Sequence, residues 1–110
     1  KLSKNYKKIL VSLDSDHTHP HVLEELKNYS KFVSKNSYIV VFDTTQGTFD
    51  KKNMNKMKKV YKYRPWGTNS NPLTAVKEFL KSNKNFVVNN QPFKKALISN
   101  CYSGFLKKIK

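Results

Sequence analysis

Two short, almost wholly apolar runs dominate the hydrophobic pattern of this 110-residue chain. Residues 8–13 and residues 37–42 are too short for helices, and both are rich in β-branched and aliphatic side chains. Such runs are typical of strands that are buried on both faces, as in a parallel sheet. Between them, apolar residues recur at helical spacing from Val22 to Val33. A strand, a helix and a strand within about 35 residues predict a right-handed βαβ unit.

Polar side chains begin where each of these predicted strands ends. Asp14 follows the first run and Asp43 follows the second. Neighbouring parallel strands lie about 4.8 Å apart and end at the same edge of the sheet, so we expect the two carboxylates to emerge together. Ligands of open α/β sheets bind at this edge, which makes it a candidate site. The alternative is that each aspartate merely caps a loop or a helix start.

Three histidines at alternate positions follow Asp14, and three interpretations of them stay open. They could ligate zinc, although Pro20 begins a helix and breaks the face they would share. His17 or His19 could be the general base that takes a proton from a hydroxyl, because imidazole titrates near neutrality. They could also serve the loop alone, by capping and by hydrogen bonding to Asp14 or Asp16.

The middle of the chain, residues 44–70, is a long polar connection with a possible short basic helix at 50–62. Connections of this length in compact domains are often lids or binding loops. The segment ends in the rigid turn Arg64-Pro65-Trp66-Gly67, which carries the only Arg and the only Trp of the chain. Trp66 is either a packing anchor or a substrate contact. If it covers an acceptor site, Trp66→Ala should raise the acceptor KM more than it lowers thermal stability.

The last part of the chain predicts one helix and three short strands. Asn71-Pro72 is a typical cap and first turn of a helix that ends near Ser82. The strand candidates are residues 86–88, 96–99 and 104–109, with a hairpin at 100–103 between the last two. A terminal antiparallel hairpin after a βαβ unit would complete a doubly wound α/β sheet.

The net charge of +15 suggests a nucleic-acid partner, but the kind of basic residue argues against one. Among 22 basic residues Arg64 is the only arginine, and arginine is the residue that forks onto phosphate and guanine. We therefore expect only nonspecific attraction to polyanions at low salt. A single cysteine fits a reducing, cytoplasmic compartment. No apolar run approaches the roughly 20 residues that cross a bilayer, so no membrane partner is expected.

Several motifs together resemble the cephalosporin hydroxylase-like group of S-adenosylmethionine-dependent O-methyltransferases. The most specific are Asp14-Ser15-Asp16-His17-Thr18-His19 and Arg64-Pro65-Trp66-Gly67. The other matching residues are 10–13, 21–23, 37–38, 41–44, 71–72, 74–76, 78–80 and 104–107. The match runs in order along nearly the whole chain, apart from the region after Thr44.

The resemblance implies the later, C-terminal half of a Rossmann-like methyltransferase sheet. Residues 1–110 would be a single partial domain holding strands four to seven, with residues 44–70 as a long loop or lid. The earlier half of such enzymes holds a glycine-rich turn and an acidic residue for the cofactor ribose. Gly47, Gly67 and Gly104 stand alone and form no such pattern. This chain by itself is therefore not expected to hold the whole cofactor site.

The resemblance also implies roles for individual residues. Asp14 and Asp43 match carboxylates that hold a magnesium ion beside the accepting hydroxyl, and Phe42 stands where some relatives have a further acid. The implied cofactor contacts are Asp14, Ser15 and Asp16, and the implied substrate contacts are Thr44, Arg64 and Trp66. His17 and His19 are the candidate bases. The metal would lower the pKa of the accepting hydroxyl.

Our leading hypothesis is the acceptor-side half of an O-methyltransferase that acts on a small molecule or a carbohydrate. The alternatives are a truncated chain without catalytic activity and a basic nucleic-acid-binding module. In the implied sheet the strand at residues 9–13 has an unpaired edge, which natural proteins normally cover or charge. We therefore expect the isolated chain to be marginally stable, to expose this edge, or to form homo-oligomers through it.

Overall fold

A computed structural model describes residues 6–110 as a mixed α/β structure. Its strands are β1 (Val11–Leu13), β2 (Tyr38–Val41), β3 (Phe86–Val88) and β4 (Phe105–Lys108). Its α-helices are α1 (His19–Tyr29), α2 (Lys51–Val60), α3 (Pro72–Ser82) and α4 (Gln91–Lys95). Two short 3₁₀ helices follow α1 and β2, at Ser30–Phe32 and Thr44–Thr48.

The four strands form one sheet in the order β1-β2-β4-β3. Strands β1 and β2 are parallel, with Val11 opposite Ile39 and Leu13 opposite Val41. Strand β4 is antiparallel to both β2 and β3. This arrangement confirms the predicted α/β fold, with its parallel βαβ unit, a following helix and a terminal antiparallel strand pair.

One predicted strand is wrong, and the terminal pair is therefore built differently. Residues 96–99 form no strand, and Leu97 and Ile98 are fully exposed. The chain forms helix α4 after β3, loops back, and only then enters β4, which pairs with β3 along Phe86–Val88. Because both sides of β4 are already paired, with β2 and with β3, residues 96–99 cannot pair with it in the predicted hairpin.

The core lies between the sheet and the two long helices. Helix α1 buries Val22, Leu23 and Leu26, as their spacing predicts, whereas Tyr29 and Phe32 at the end of the predicted apolar face are exposed. Helix α3 packs beside it and begins in a capping box, in which the Asn71 side chain accepts a hydrogen bond from the Thr74 N–H at 3.1 Å. These two helices hold the sheet so that the ends of β1 and β2 face the same edge.

Strand β1 is less buried than its apolar sequence predicts. It lies at the edge of the sheet in the part of the chain that the structure describes, and Ser12 is exposed while Leu10 is 56% exposed. The prediction of burial on both faces is wrong for these residues, because Leu10 and Ser12 lie at alternate positions on one face, which is left exposed, whereas Leu13 on the other face is buried. The exposed edge agrees with the expectation of an unpaired row of backbone groups.

The edge predicts concentration-dependent association of the 110-residue chain through β1. We expect the sedimentation coefficient of the unmodified chain to rise with concentration, and Leu10→Lys to suppress the rise, because an edge charge opposes strand pairing. Val87→Lys, on the other edge strand β3, is the matched control and should change the association little. A stable monomer at all concentrations, with slow amide exchange throughout Val11–Leu13, would contradict the prediction.

Candidate active site

The structure brings Asp14, His17 and Asp43 together at the carboxyl ends of the parallel strands. His17 Nε2 lies 3.1 Å from Asp14 Oδ1 and 3.0 Å from Asp43 Oδ2. One ligand atom of each residue lies within 4.8 Å of the other two. The two carboxylates therefore emerge together, and a histidine side chain bridges them.

Two of these residues have a left-handed backbone conformation, which residues other than glycine rarely adopt. His17 has φ 66° and Asp43 has φ 55°, both in the left-handed region. Residues held in such conformations cluster at functional sites, where the surrounding structure supports them. In Asp43 the conformation ends β2 sharply and begins the 3₁₀ helix Thr44–Thr48, for which Asp43 is the N-cap.

The second oxygen of Asp43 is held by a residue that the sequence did not single out. Asn100 Nδ2 donates a hydrogen bond to Asp43 Oδ1 at 2.7 Å. The amide of Asn100 is oriented in turn by Cys101, whose Sγ donates to Asn100 Oδ1 at 3.2 Å. Burial raises the pKa of the Cys101 thiol, which keeps the proton that this hydrogen bond needs. Asp43 is thus fixed from both sides, while its Oδ2 faces His17.

Two carboxylates so close together repel each other unless positive charge lies between them. An N–H on His17 Nε2 supplies such charge when the ring is protonated, and a divalent cation would supply more. The side chain of Asp14 is 60% exposed, which leaves room for water ligands, whereas that of His17 is only 13% exposed. The two carboxylate oxygens are donors of the kind that magnesium and manganese prefer.

A cavity of about 240 Å³ adjoins this group. Asp43 and His17 line it, together with Gln46, Arg64 and Trp66 from the 44–70 connection. This connection contains a 3₁₀ helix and α2, so the basic helix predicted within it is confirmed at Lys51–Val60. The segment predicted as a lid supplies part of the cavity wall beside the carboxylates.

His19 and His21 lie outside this group. His19 Nδ1 lies 2.8 Å from Thr74 Oγ1 and its Nε2 lies 3.0 Å from Glu78 Oε2, so the ring joins α1 to α3. His21 is exposed on α1, where its Nε2 lies 3.6 Å from Glu25 Oε1. The three histidines do not converge among the described residues, which removes the zinc interpretation and favours His17 over His19 as a base.

Ser15 and Asp16, the implied cofactor contacts beside Asp14, are exposed. The Ser15 hydroxyl donates to Glu25 Oε2 at 2.8 Å. Asp16 Oδ1 accepts a hydrogen bond from the Thr18 N–H at 3.1 Å, and hydrogen bonding to Thr18 lowers the pKa of the Asp16 carboxyl. Both side chains hold the loop in shape, and their cofactor role stays a prediction.

Thr44, an implied substrate contact, is fully buried. Its hydroxyl donates to the Asn100 carbonyl at 3.5 Å. Gly104 packs so closely against it that an added Cβ would lie 2.9 Å from Thr44 Oγ1. This placement does not support a contact between Thr44 and a substrate, because the side chain is enclosed by the loop that precedes β4.

Trp66 lines the cavity but is itself only 3% exposed, and its ring lies 6.2 Å from that of Tyr61. The packing interpretation of Trp66 is therefore the stronger one. We expect Trp66→Ala to lower the free energy of unfolding by about 3–5 kcal/mol, as for other buried tryptophans. Chemical denaturation measures this loss, and Trp66→Phe should recover part of it. A loss below about 1 kcal/mol together with a raised acceptor KM would instead make Trp66 a substrate contact.

Gln46 is a further cavity residue that the sequence did not indicate. Its Oε1 is buried and has no hydrogen-bond partner. Buried polar atoms are nearly always hydrogen-bonded, so a partner for this oxygen is expected from a ligand or a water. The available signal was its position three residues after Asp43, in the loop at the same edge of the sheet.

Comparisons with known proteins agree with the resemblance carried by the motifs. The family model described as rhamnosyl O-methyltransferase/CmcI matches residues 1–109. Searches of curated proteins and of solved structures give no significant match. Within the described part of the chain, no helix has the length and apolar character needed to span a bilayer.

Proposed function

Because the chain belongs to the rhamnosyl O-methyltransferase/CmcI family, we propose that it forms the acceptor side of a methyl transfer from S-adenosylmethionine. The acceptor is a hydroxyl of a small molecule or a sugar, and the family description supports a sugar. The later half of a Rossmann-like methyltransferase sheet accounts for the strand order, in which a parallel pair is followed by an antiparallel pair.

One observation carries the proposal. Asp14, His17 and Asp43 converge beside a cavity at the edge of the sheet where α/β proteins bind their ligands. Neither carboxylate is needed to close the core, since Asp14 is exposed and Asp43 is only partly buried. The Asp43 side chain makes no capping hydrogen bond to the 3₁₀ helix that it precedes, which favours a functional role over a capping role.

The donor set suits a divalent metal ion. Asp14 and Asp43 would hold it, and water and acceptor oxygens would complete the shell, which leaves His17 free to act as the base. A magnesium ion often binds through only one or two carboxylates, so the absence of an acid at Phe42 is no obstacle. A bound metal ion would supply Lewis acidity that favours the deprotonated hydroxyl.

The residues of this chain would position the hydroxyl and accept its proton. S-adenosylmethionine, when bound, supplies an electrophilic methyl group on a sulfonium. The acceptor oxygen would take this methyl group as the bond to sulfur breaks, and the hydroxyl proton would go to His17 Nδ1. Asp14 Oδ1 and Asp43 Oδ2, at 3.1 and 3.0 Å from His17 Nε2, would accept from the Nε2–H and so stabilise the resulting imidazolium. Placing the reactants in line accounts for much of the rate gain in such transfers.

The test is a titration of the natural full-length protein with S-adenosylmethionine, with and without Mg²⁺, followed by transfer of a labelled methyl group to a panel of sugars. We expect saturable cofactor binding and labelled product that depends on an acceptor hydroxyl. Cofactor binding without transfer to any hydroxyl acceptor, or no cofactor binding at all, would contradict the proposal.

A further inference from the structure

Arg64 is the only guanidinium of the chain, and it lines the cavity of the candidate active site. The chain has 22 basic residues, and every other one is lysine. Lysine provides positive charge anywhere on a surface, whereas arginine provides a planar fork that matches a carboxylate or a phosphate. An arginine at this position in a lysine-rich chain therefore indicates recognition of an anion by geometry as well as by charge.

The backbone of Arg64 is held in place on both sides, and its positive charge is free to bind an anion. Its N–H donates to the Tyr61 carbonyl at 3.1 Å, in the turn that ends α2, and Trp66 is buried two residues further along. The side chain itself is exposed. Each of the four ion pairs found in residues 6–110 has a histidine as its cationic partner, so Arg64 takes part in none of them.

Other cavity residues restrict what can bind beside Arg64. Asp43 and His17 line the same cavity, and in the proposed function they hold the metal ion and the reacting hydroxyl, so the anionic group of a ligand is left to Arg64. Gln46 presents a buried oxygen that needs a hydrogen-bond donor, such as a second hydroxyl of the ligand. The cavity volume of about 240 Å³ corresponds to about eight waters, which is room for one substituted ring.

We propose that the acceptor carries a carboxylate or a phosphate, which Arg64 binds, and a second hydroxyl, which Gln46 binds. This inference rests on the proposed function and names the chemical class of its acceptor, an anionic polyol. The attraction of the anionic group to Arg64 places the other end of the acceptor toward His17. The reacting hydroxyl then belongs to the neutral end of the ligand.

The experiment uses the fluorescence of Trp66, the only tryptophan of the chain as printed, which lines the same cavity. The protein is the natural full-length one, and any tryptophan outside residues 1–110 is first replaced by phenylalanine. The probes are glucuronate, glucose 6-phosphate and glucose, at 0.15 M salt so that the general field of the basic surface is screened. We expect at least one anion to bind with a Kd tenfold or more below that of glucose. The two anionic arms distinguish a carboxylate from a phosphate.

Matched variants distinguish binding of the anion by Arg64 from attraction of the anion by the overall positive charge of the protein. Arg64→Gln should abolish the preference for the anion, and Arg64→Lys should restore only part of it, because a lysine lacks the fork. Lys62→Gln removes the same charge two residues away, outside the cavity lining, and should leave the Kd unchanged. Gln46→Leu should weaken all three probes by a similar factor, because each carries ring hydroxyls.

Three results would overturn the inference: equal affinity for glucose and both anions, equal losses in Arg64→Gln and Lys62→Gln, or no saturable binding of either anion. These failures are distinct from failure of the proposed function. Methyl transfer to neutral acceptors without any anion preference would remove this inference alone. Anion binding that depends on Arg64 in a protein without methyl transfer would remove the proposed function and keep the site.

Discussion

Replacing Asp43 with Asn is expected to lower the rate of methyl transfer by about 100-fold or more while the protein stays folded. The substitution keeps the size of the side chain and removes its charge. In the structure one oxygen of Asp43 faces His17 Nε2 at 3.0 Å and the other accepts from Asn100 at 2.7 Å. An amide at this position can keep one of these contacts, but it has no negative charge with which to stabilise an imidazolium, and it binds a divalent ion more weakly than a carboxylate does.

Asp14→Asn should act in the same direction, and binding of Mn²⁺ followed by electron paramagnetic resonance gives a readout apart from activity. Both variants should weaken Mn²⁺ binding by about 10-fold or more. The matched control is Asp50→Asn, at the N-cap of α2, where the Asp50 side chain accepts from the Asn53 N–H at 2.7 Å. Asparagine caps helices as well as aspartate does, so turnover and Mn²⁺ binding should be unchanged. Activity that is indifferent to both site variants and to a chelator would remove the metal assignment.

The elements with a strong local signal could be predicted from the sequence. The run at 37–42 is found as Tyr38–Val41, and the helix opened by Asn71-Pro72 is found as Pro72–Ser82. In both cases the residues that define the element also define its ends: a carboxylate after the strand and a capping box before the helix. The parallel pairing of β2 with β1 follows from the short right-handed connection through α1.

The errors concern strand partners, which local sequence does not contain. Leu97 and Ile98 have the apolar character of a strand, but β4 already occupies the position between β2 and β3. Leu10 and Ser12 lie in an apolar run that suggests burial on both faces, yet burial of a face depends on the layer that packs against it. The strand propensity of a short segment depends on the residues it contains, whereas its pairing with other strands depends on distant parts of the chain.

The candidate site divides in the same way. Asp14 and Asp43 could be predicted because they directly follow two strands that must be parallel, and parallel strands end at one edge. Gln46 and Asn100 could not, because a short 3₁₀ helix and an irregular loop, neither of which has a strong local signal, bring them to the site. His17 and His19 have the same side chain two positions apart. The left-handed backbone at His17 directs one ring to the carboxylates, while helix α1 directs the other to α3.

This difference between the two histidines leads to the second large effect. His17→Gln is expected to lower turnover by on the order of 100-fold or more, because glutamine can donate and accept hydrogen bonds but cannot take the hydroxyl proton. His19→Gln is the matched control: it removes the contacts to Thr74 and Glu78 and should lower the free energy of unfolding by about 1 kcal/mol, with turnover nearly unchanged.

If His17 is the base, the His17→Gln variant should still bind Mn²⁺, whereas a combined loss of Mn²⁺ binding and turnover would make His17 a metal ligand. Normal turnover in His17→Gln together with a large loss in His19→Gln would reverse the assignment, and the base would then lie at the contact between α1 and α3.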